Sequence, residues 1–109
     1  MVDLRLYFAQ RISALVMVPL VFGHLILMIY AVQNGFSADE ILARTKGSLG
    51  WGLYYGLFVF AVTIHGAIGL RAILFEWFGL NKTLLNSISW AVGLVMLALG
   101  IRAVVAVVL

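Results

Sequence analysis

Charged residues divide the chain into three long apolar runs. Twenty-seven uncharged residues separate Arg11 from Asp39, 24 separate Lys46 from Arg71, and 19 separate Lys82 from Arg102. A bilayer core of about 30 Å takes roughly 20 apolar residues in a helix that rises ~1.5 Å per residue. The pattern predicts an all-α membrane protein, a single membrane-anchor domain over 1–109 with transmembrane helices at about 6–32, 53–78 and 83–108. Pro19 falls inside the first run and predicts a kink, which a membrane helix tolerates better than a soluble one. Between the first two runs, Ser37-Ala38-Asp39-Glu40 has the Ser-x-x-Glu form of a capping box, and Ile41, Leu42 and Ala43 follow. A short interfacial helix is expected there, in the outer loop. Asn81-Lys82-Thr83 forms the inner turn, with Thr83 read as the N-cap of the last helix. Trp51, Tyr54, Tyr55, Trp77 and Trp90 lie near predicted span ends, where aromatic belts form.

Composition points the same way. Hydrophobic residues make up 65% of the 109 and charged residues 10%. A soluble domain of this size has no interior large enough for that much apolar surface, because small domains bury only about 60% of theirs. The absence of cysteine excludes iron–sulfur ligation, thiolate haem ligands and disulfides within this chain. The net charge of +3 is small and scattered, so no nucleic-acid partner is read from it. The first apolar run is too long for the core of a cleavable signal peptide. Arg5, Arg11, Arg71 and Lys82 fall on one side of the membrane, and Arg44, Lys46 and Arg102 on the other. That balance predicts a cytoplasmic (or matrix) N-terminus.

Two histidines interrupt the apolar runs. An ionisable side chain inside a membrane helix is costly unless partnered, and it marks a functional site by default. Imidazole is an axial ligand of haem iron. His24 follows Arg11 by 13 residues, roughly 20 Å of helical rise, and His65 precedes Arg71 by six, roughly 9 Å. The two therefore differ in depth by about 10 Å and do not suit one shared iron. Either each serves a separate haem completed by another chain, or His65 alone holds haem. Gly66 and Gly69 beside His65 would leave room for a flat macrocycle, and Thr63 is a candidate partner for a propionate. His24 shares a stripe with Ser13, Met17 and Leu20, either a haem-facing surface or ordinary packing. Arg102, level with His24, is a candidate partner for a haem propionate or a snorkelling cation. Arg11 and Ser13 near one end of the first helix, and Glu76 and Trp77 at the same end of the second, offer the donors and the carboxylate that a quinone site needs. Snorkelling and interfacial pairing are the ordinary readings of those charges. Gly52 with Gly56, and Asn86, Gly93 and Gly100 at intervals of seven, are small-residue stripes. They suit contact among the chain's own helices or docking of a second subunit.

The run His65-Gly66-Ala67-Ile68-Gly69-Leu70-Arg71, followed by Glu76, resembles the haem-ligand helix of succinate dehydrogenase membrane anchors, His-x-x-x-Gly-[Ile/Leu]-Arg and then an acid. Gln10-Arg11-Ile12-Ser13 is similar to that family's first-helix signature. The resemblance spans nearly the whole chain. It implies a cytochrome b-type anchor of respiratory complex II in the bacterial cytoplasmic (inner) membrane, or less readily in the mitochondrial inner membrane. Its partners would be a second three-helix anchor, an iron–sulfur subunit and a flavoprotein that holds the dehydrogenase chemistry. It implies haem b, one or two, shared with the partner anchor, and a quinone as substrate. His65 matches the axial ligand and Arg11 a quinone-site arginine, with Ser13 in the same signature. Tyr7 stands where some members carry a quinone-site Ser, Glu76 where Asp is common, and Trp77 where the other anchor often has Tyr. Gly69-Leu70-Arg71 matches the cytochrome b anchor, Glu76-Trp77 matches the other, and His24 resembles a first-helix ligand of di-haem members. A quinol:fumarate reductase anchor is the nearest alternative. A haem-free structural anchor and a small multidrug-type transporter subunit are the rivals from other classes. The transporter typically needs four spans and an acid in the first, and this chain has neither.

Overall fold

The structure, a computed structural model, describes residues 3–109. Three long apolar helices, each long enough to cross a membrane, are α1 (Leu4–Asn34), α3 (Leu49–Phe78) and α4 (Lys82–Val108), with the short α2 (Ala38–Thr45) between the first two. There is no strand among the described residues. Each long helix extends a few residues past its predicted apolar span, because a bilayer sets the length of the apolar run and local caps set the helix ends.

The caps are written in the sequence. At α1, Asp3 accepts from the Arg5 N–H. The capping box of α2 is complete: Ser37 Oγ accepts from the Glu40 N–H at 3.2 Å, and the Glu40 carboxylate accepts from the Ser37 N–H at 3.0 Å. α3 ends on Gly79 in the left-handed region (φ 59°), which suits a residue without Cβ. One cap differs from expectation. Asn81, not Thr83, begins α4, its Oδ1 accepting from the Leu84 N–H at 2.9 Å. Asn ranks above Thr as an N-cap, and Asn81 has the extended backbone (φ −70°, ψ 163°) of a cap residue, whereas Thr83 is already helical. α1 runs unbroken through Pro19.

α3 is the central helix, packed on α1 and on α4. Its register with α4 is set by small residues. A Cβ on Gly100 would collide with the Val59 side chain, and one on Gly93 would touch Ala67 Cβ at 3.5 Å. At the end of the same stripe, Asn86 Oδ1 accepts from Arg71 Nε at 3.2 Å. Asn86, Gly93 and Gly100 thus serve this chain's own helix pair. Gly52 also meets α4, at Val108, whereas Gly56 faces open space. α2 closes the far end. Its Thr45 is buried and donates to the Val107 carbonyl at 2.7 Å, while the Gly47 N–H donates to the Val108 carbonyl. Both bonds satisfy the unpaired last carbonyls that every helix leaves. Arg44 ties α2 back to the end of α1 through the Gly35 carbonyl at 2.8 Å and the Tyr30 ring.

Two outcomes follow. Gly100→Ala should lower unfolding stability in detergent by about 1–3 kcal/mol, because stiff Val59 must move. Gly56→Ala, in open space, should be neutral or gain up to about 1 kcal/mol of helix propensity; thermal melts of the two variants check this. The second concerns pH. Bonds from the Ser37 N–H and hydroxyl, aided by Arg44, hold the Glu40 carboxyl below its usual value of 4.5. A group with a depressed folded pKa stabilises above its unfolded value and loses that contribution as pH falls through the folded one. Amide exchange in the first turn of α2 should therefore accelerate as pH drops below 4.5, after correction for intrinsic rates. At Leu84, capped by uncharged Asn81, it should not.

Candidate functional site

The α1–α3 interface carries both histidines, and they lie in different surroundings. Toward the N-terminal end of α1, Ser13 is one of the few buried residues. Its hydroxyl donates to the Gln10 carbonyl at 2.9 Å and lies 3.4 Å from His65 Nδ1. His65 forms one wall of a hollow of about 230 Å³ between α1 and α3, whose other walls are Ala14, Met17, Val18, Val21 and Phe22. Val18, Val21 and Phe22 are exposed. His65 Nε2 makes no hydrogen bond and is not among the buried unpartnered atoms.

Farther along, Tyr54 donates to the Leu20 carbonyl at 2.5 Å. Gly23 makes room for it, since a Cβ there would stand 2.7 Å from the phenol oxygen. Next to that contact, His24 meets the edges of Tyr55 and Phe58, with ring centroids 5.9 and 5.7 Å away. Its Nδ1 is buried with no partner among the described residues. His24 borders two larger hollows near α2. One of about 390 Å³ runs toward Met96, Gly100 and Val104 of α4, and one of about 460 Å³ toward Arg44 and Trp51.

The Ser13–His65 contact sets the level of His65 about 11 residues from His24 along α1, roughly 16 Å of helical rise, where the charge spacing gives about 10 Å. The two histidines also line separate hollows, so one iron cannot take both. Of the stripe that His24 shares with Ser13, Met17 and Leu20, Ser13 and Leu20 are buried in the helix pair and Met17 walls the His65 hollow. Trp51, Tyr54 and Tyr55, in the first turns of α3, form a cluster of ring contacts with His24 and Phe58. Trp77 and Trp90 project outward.

The remaining candidates are spread out. Gly69 lies against Gln10 and Gly66 against Met96, so both glycines clear space for this chain's own side chains. Arg11 is exposed, 5.9 Å from the Tyr7 ring. Glu76 and Trp77 are exposed at the end of α3, Trp77 by 76%. With Gln10 beside Gly69, Glu76 lies seven residues, roughly 10 Å, beyond that level. No hydrogen bond or ion pair joins it to Arg11 among the described residues. Arg102 is exposed two residues past Gly100, which abuts Val59, and so shares the level of Phe58 and His24. No cluster of three or more His, Cys, Asp or Glu is present among the described residues. Tyr54 and Gln10 are named in the sequence without the contacts they make, and Met96 is not singled out there.

The donor set suits a haem held between two chains. A metal-bound imidazole almost always donates its other ring N–H to an oxygen, and His65 has Ser13 for that role. A hollow of about 230 Å³, open on one side, is below the range of roughly 300–1,000 Å³ that encloses a small molecule, so it forms only part of a site. His24 has no such oxygen partner.

The model of one protein family, described as succinate dehydrogenase/fumarate reductase transmembrane subunit, matches residues 2–107. No curated protein and no solved structure gives a match.

Tyr54→Phe removes the bond to Leu20 without changing shape. It should lower the unfolding stability of the chain in detergent by about 0.5–1.5 kcal/mol, read from a thermal or denaturant melt.

Proposed function

Because the chain belongs to the succinate dehydrogenase/fumarate reductase transmembrane subunit family, we propose that it is the haem b-binding anchor of a succinate:quinone oxidoreductase. In this reading His65 supplies one axial ligand and a second three-helix anchor supplies the other. The same two anchors seat an iron–sulfur subunit and a flavoprotein, in a bacterial cytoplasmic membrane with the N-terminus on the cytoplasmic side.

The observation that carries the reading is the environment of His65. Its Nδ1 faces a buried hydroxyl, its Nε2 is unbonded, and the ring walls an apolar hollow that lies open at the surface. A lone membrane histidine in a structural role would be expected to bond through both nitrogens or be shielded. When bound, the haem supplies one-electron transfer between the reductant and a quinone. The chain's own residues do the rest. α1 and α3 hold the ring at a fixed height, and Val18, Val21 and Phe22 keep water from the ligand side. Arg11 provides a charged donor on the same end of α1 for a quinone oxygen. Since Arg11, Glu76 and Trp77 face outward at different levels, a quinone bound through any of them is completed by neighbouring subunits. The geometry favours a single haem at His65. His24 lacks the oxygen partner that orients an imidazole toward metal.

His65→Ala, expressed with the partner subunits, should abolish the b-type bands in reduced-minus-oxidised spectra of the purified complex, while His24→Ala keeps them. Unchanged haem content in His65→Ala would overturn the ligand assignment. Loss of half the haem in His24→Ala would establish a second site.

A further inference from the structure

We propose that Ser13 is a positioning residue for His65: it fixes which ring nitrogen carries the proton and thereby tunes the potential of the iron that His65 holds. This inference rests on the haem reading above.

A serine hydroxyl has one hydrogen and two lone pairs. Ser13 Oγ has two neighbours, the Gln10 carbonyl at 2.9 Å and His65 Nδ1 at 3.4 Å. A carbonyl oxygen only accepts, and it is the closer neighbour, so the hydroxyl hydrogen points to Gln10. Toward His65 the oxygen then offers a lone pair. The contact is attractive only if Nδ1 carries a proton. A neutral imidazole has one proton, so Nε2 is left with its lone pair free. The opposite arrangement leaves an Nε2–H with no acceptor among the described residues, on a ring that walls an apolar hollow. Such an unpaired donor is disfavoured in an apolar setting. The order Gln10 carbonyl, Ser13 hydroxyl, His65 Nδ1–H, free Nε2 is self-consistent, and it presents a ligand lone pair at the open hollow.

Burial makes the arrangement durable. Ser13 is 5% exposed, and its back-bond to Gln10 is the usual way a helical serine satisfies itself. No water is needed to complete the chain of bonds. A ring whose Nδ1–H is held by an oxygen is a more basic ligand, and a more basic axial ligand stabilises the oxidised iron. Ser13 therefore lowers the midpoint potential. The Ser13 hydroxyl is turned into the helix pair, toward the Gln10 carbonyl and His65 Nδ1.

The test uses the intact complex and three substitutions, Ser13→Ala, Ser13→Thr and Ser13→Val. Thr and Val share a shape and differ by the hydroxyl. Potentiometric titration of the b-type bands should give Ser13→Thr a midpoint close to the parent's. Ser13→Ala and Ser13→Val should be shifted upward or depleted of haem. Four identical midpoints would overturn the proposal. So would equal changes in Thr and Val, since size rather than the hydroxyl would then be the cause. A parent complex with no b-type absorbance would refute the haem reading itself, an outcome distinct from these.

Discussion

Polar groups inside a bilayer have no water to fall back on, and the few such groups in this chain decide how its helices meet. Tyr54 reaches the Leu20 carbonyl, Ser13 lies against His65, and Arg71 reaches Asn86. Thr45 and Gly47 seal the end of α4. Each is a cross-helix contact that an apolar interface alone would not specify, because lipid tails are as good a neighbour for leucine as another leucine is. Together they join α1 to α3, α3 to α4, and the α2 end to the last turn of α4. The small residues Gly23, Gly93 and Gly100 then let backbones approach closely enough for those bonds to form. Sliding either outer helix by one turn would leave a phenol, a hydroxyl or a guanidinium without its partner.

Much of this was legible in the sequence, and the legible part is the part governed by length and local chemistry. Charge spacing located the three spans, and Ser37 and Glu40 announced their helix through a reciprocal cap. The Asn86–Gly93–Gly100 stripe was visible as a pattern, but not its partner, since a seven-residue repeat looks the same whether it meets its own chain or another. The inner turn was misjudged by two residues because Thr83 and Asn81 both cap helices, and only the extended backbone at Asn81 decides between them. The span-end position of Trp51, Tyr54 and Tyr55 is legible and their ring cluster is not, because residue type gives depth but not direction around the helix axis. The Ser13 contact and the charge spacing place His65 at different heights for a related reason: arginine side chains are long, so Arg11 and Arg71 do not mark equal depths.

The two histidines show why residue type alone is a weak guide to metal ligation. By sequence they are alike, each inside an apolar run with a glycine adjacent. In the fold, one has an oxygen behind it and an open apolar hollow at its side, and the other is flanked by aromatic edges with a buried, unpartnered nitrogen. Burial of a polar atom without a partner is unfavourable by about 1–3 kcal/mol. His24 thus lacks the oxygen that Ser13, a residue without charge, sets behind the His65 ring.

The bond between Tyr54 and Leu20 joins residues 34 positions apart. During synthesis α1 therefore leaves the ribosome well before the helix that completes it. At ~5–20 residues per second the delay is roughly 2–7 s. For that interval Ser13 and His24 have only what α1 itself offers, in lipid or in the insertion machinery. The α3–α4 pair waits far less, joined as it is by the tight turn after Gly79. The order of emergence leaves the buried hydroxyl of Ser13 and the buried nitrogen of His24 unattended longest, and makes the first helix the one that an insertion chaperone would have most reason to hold.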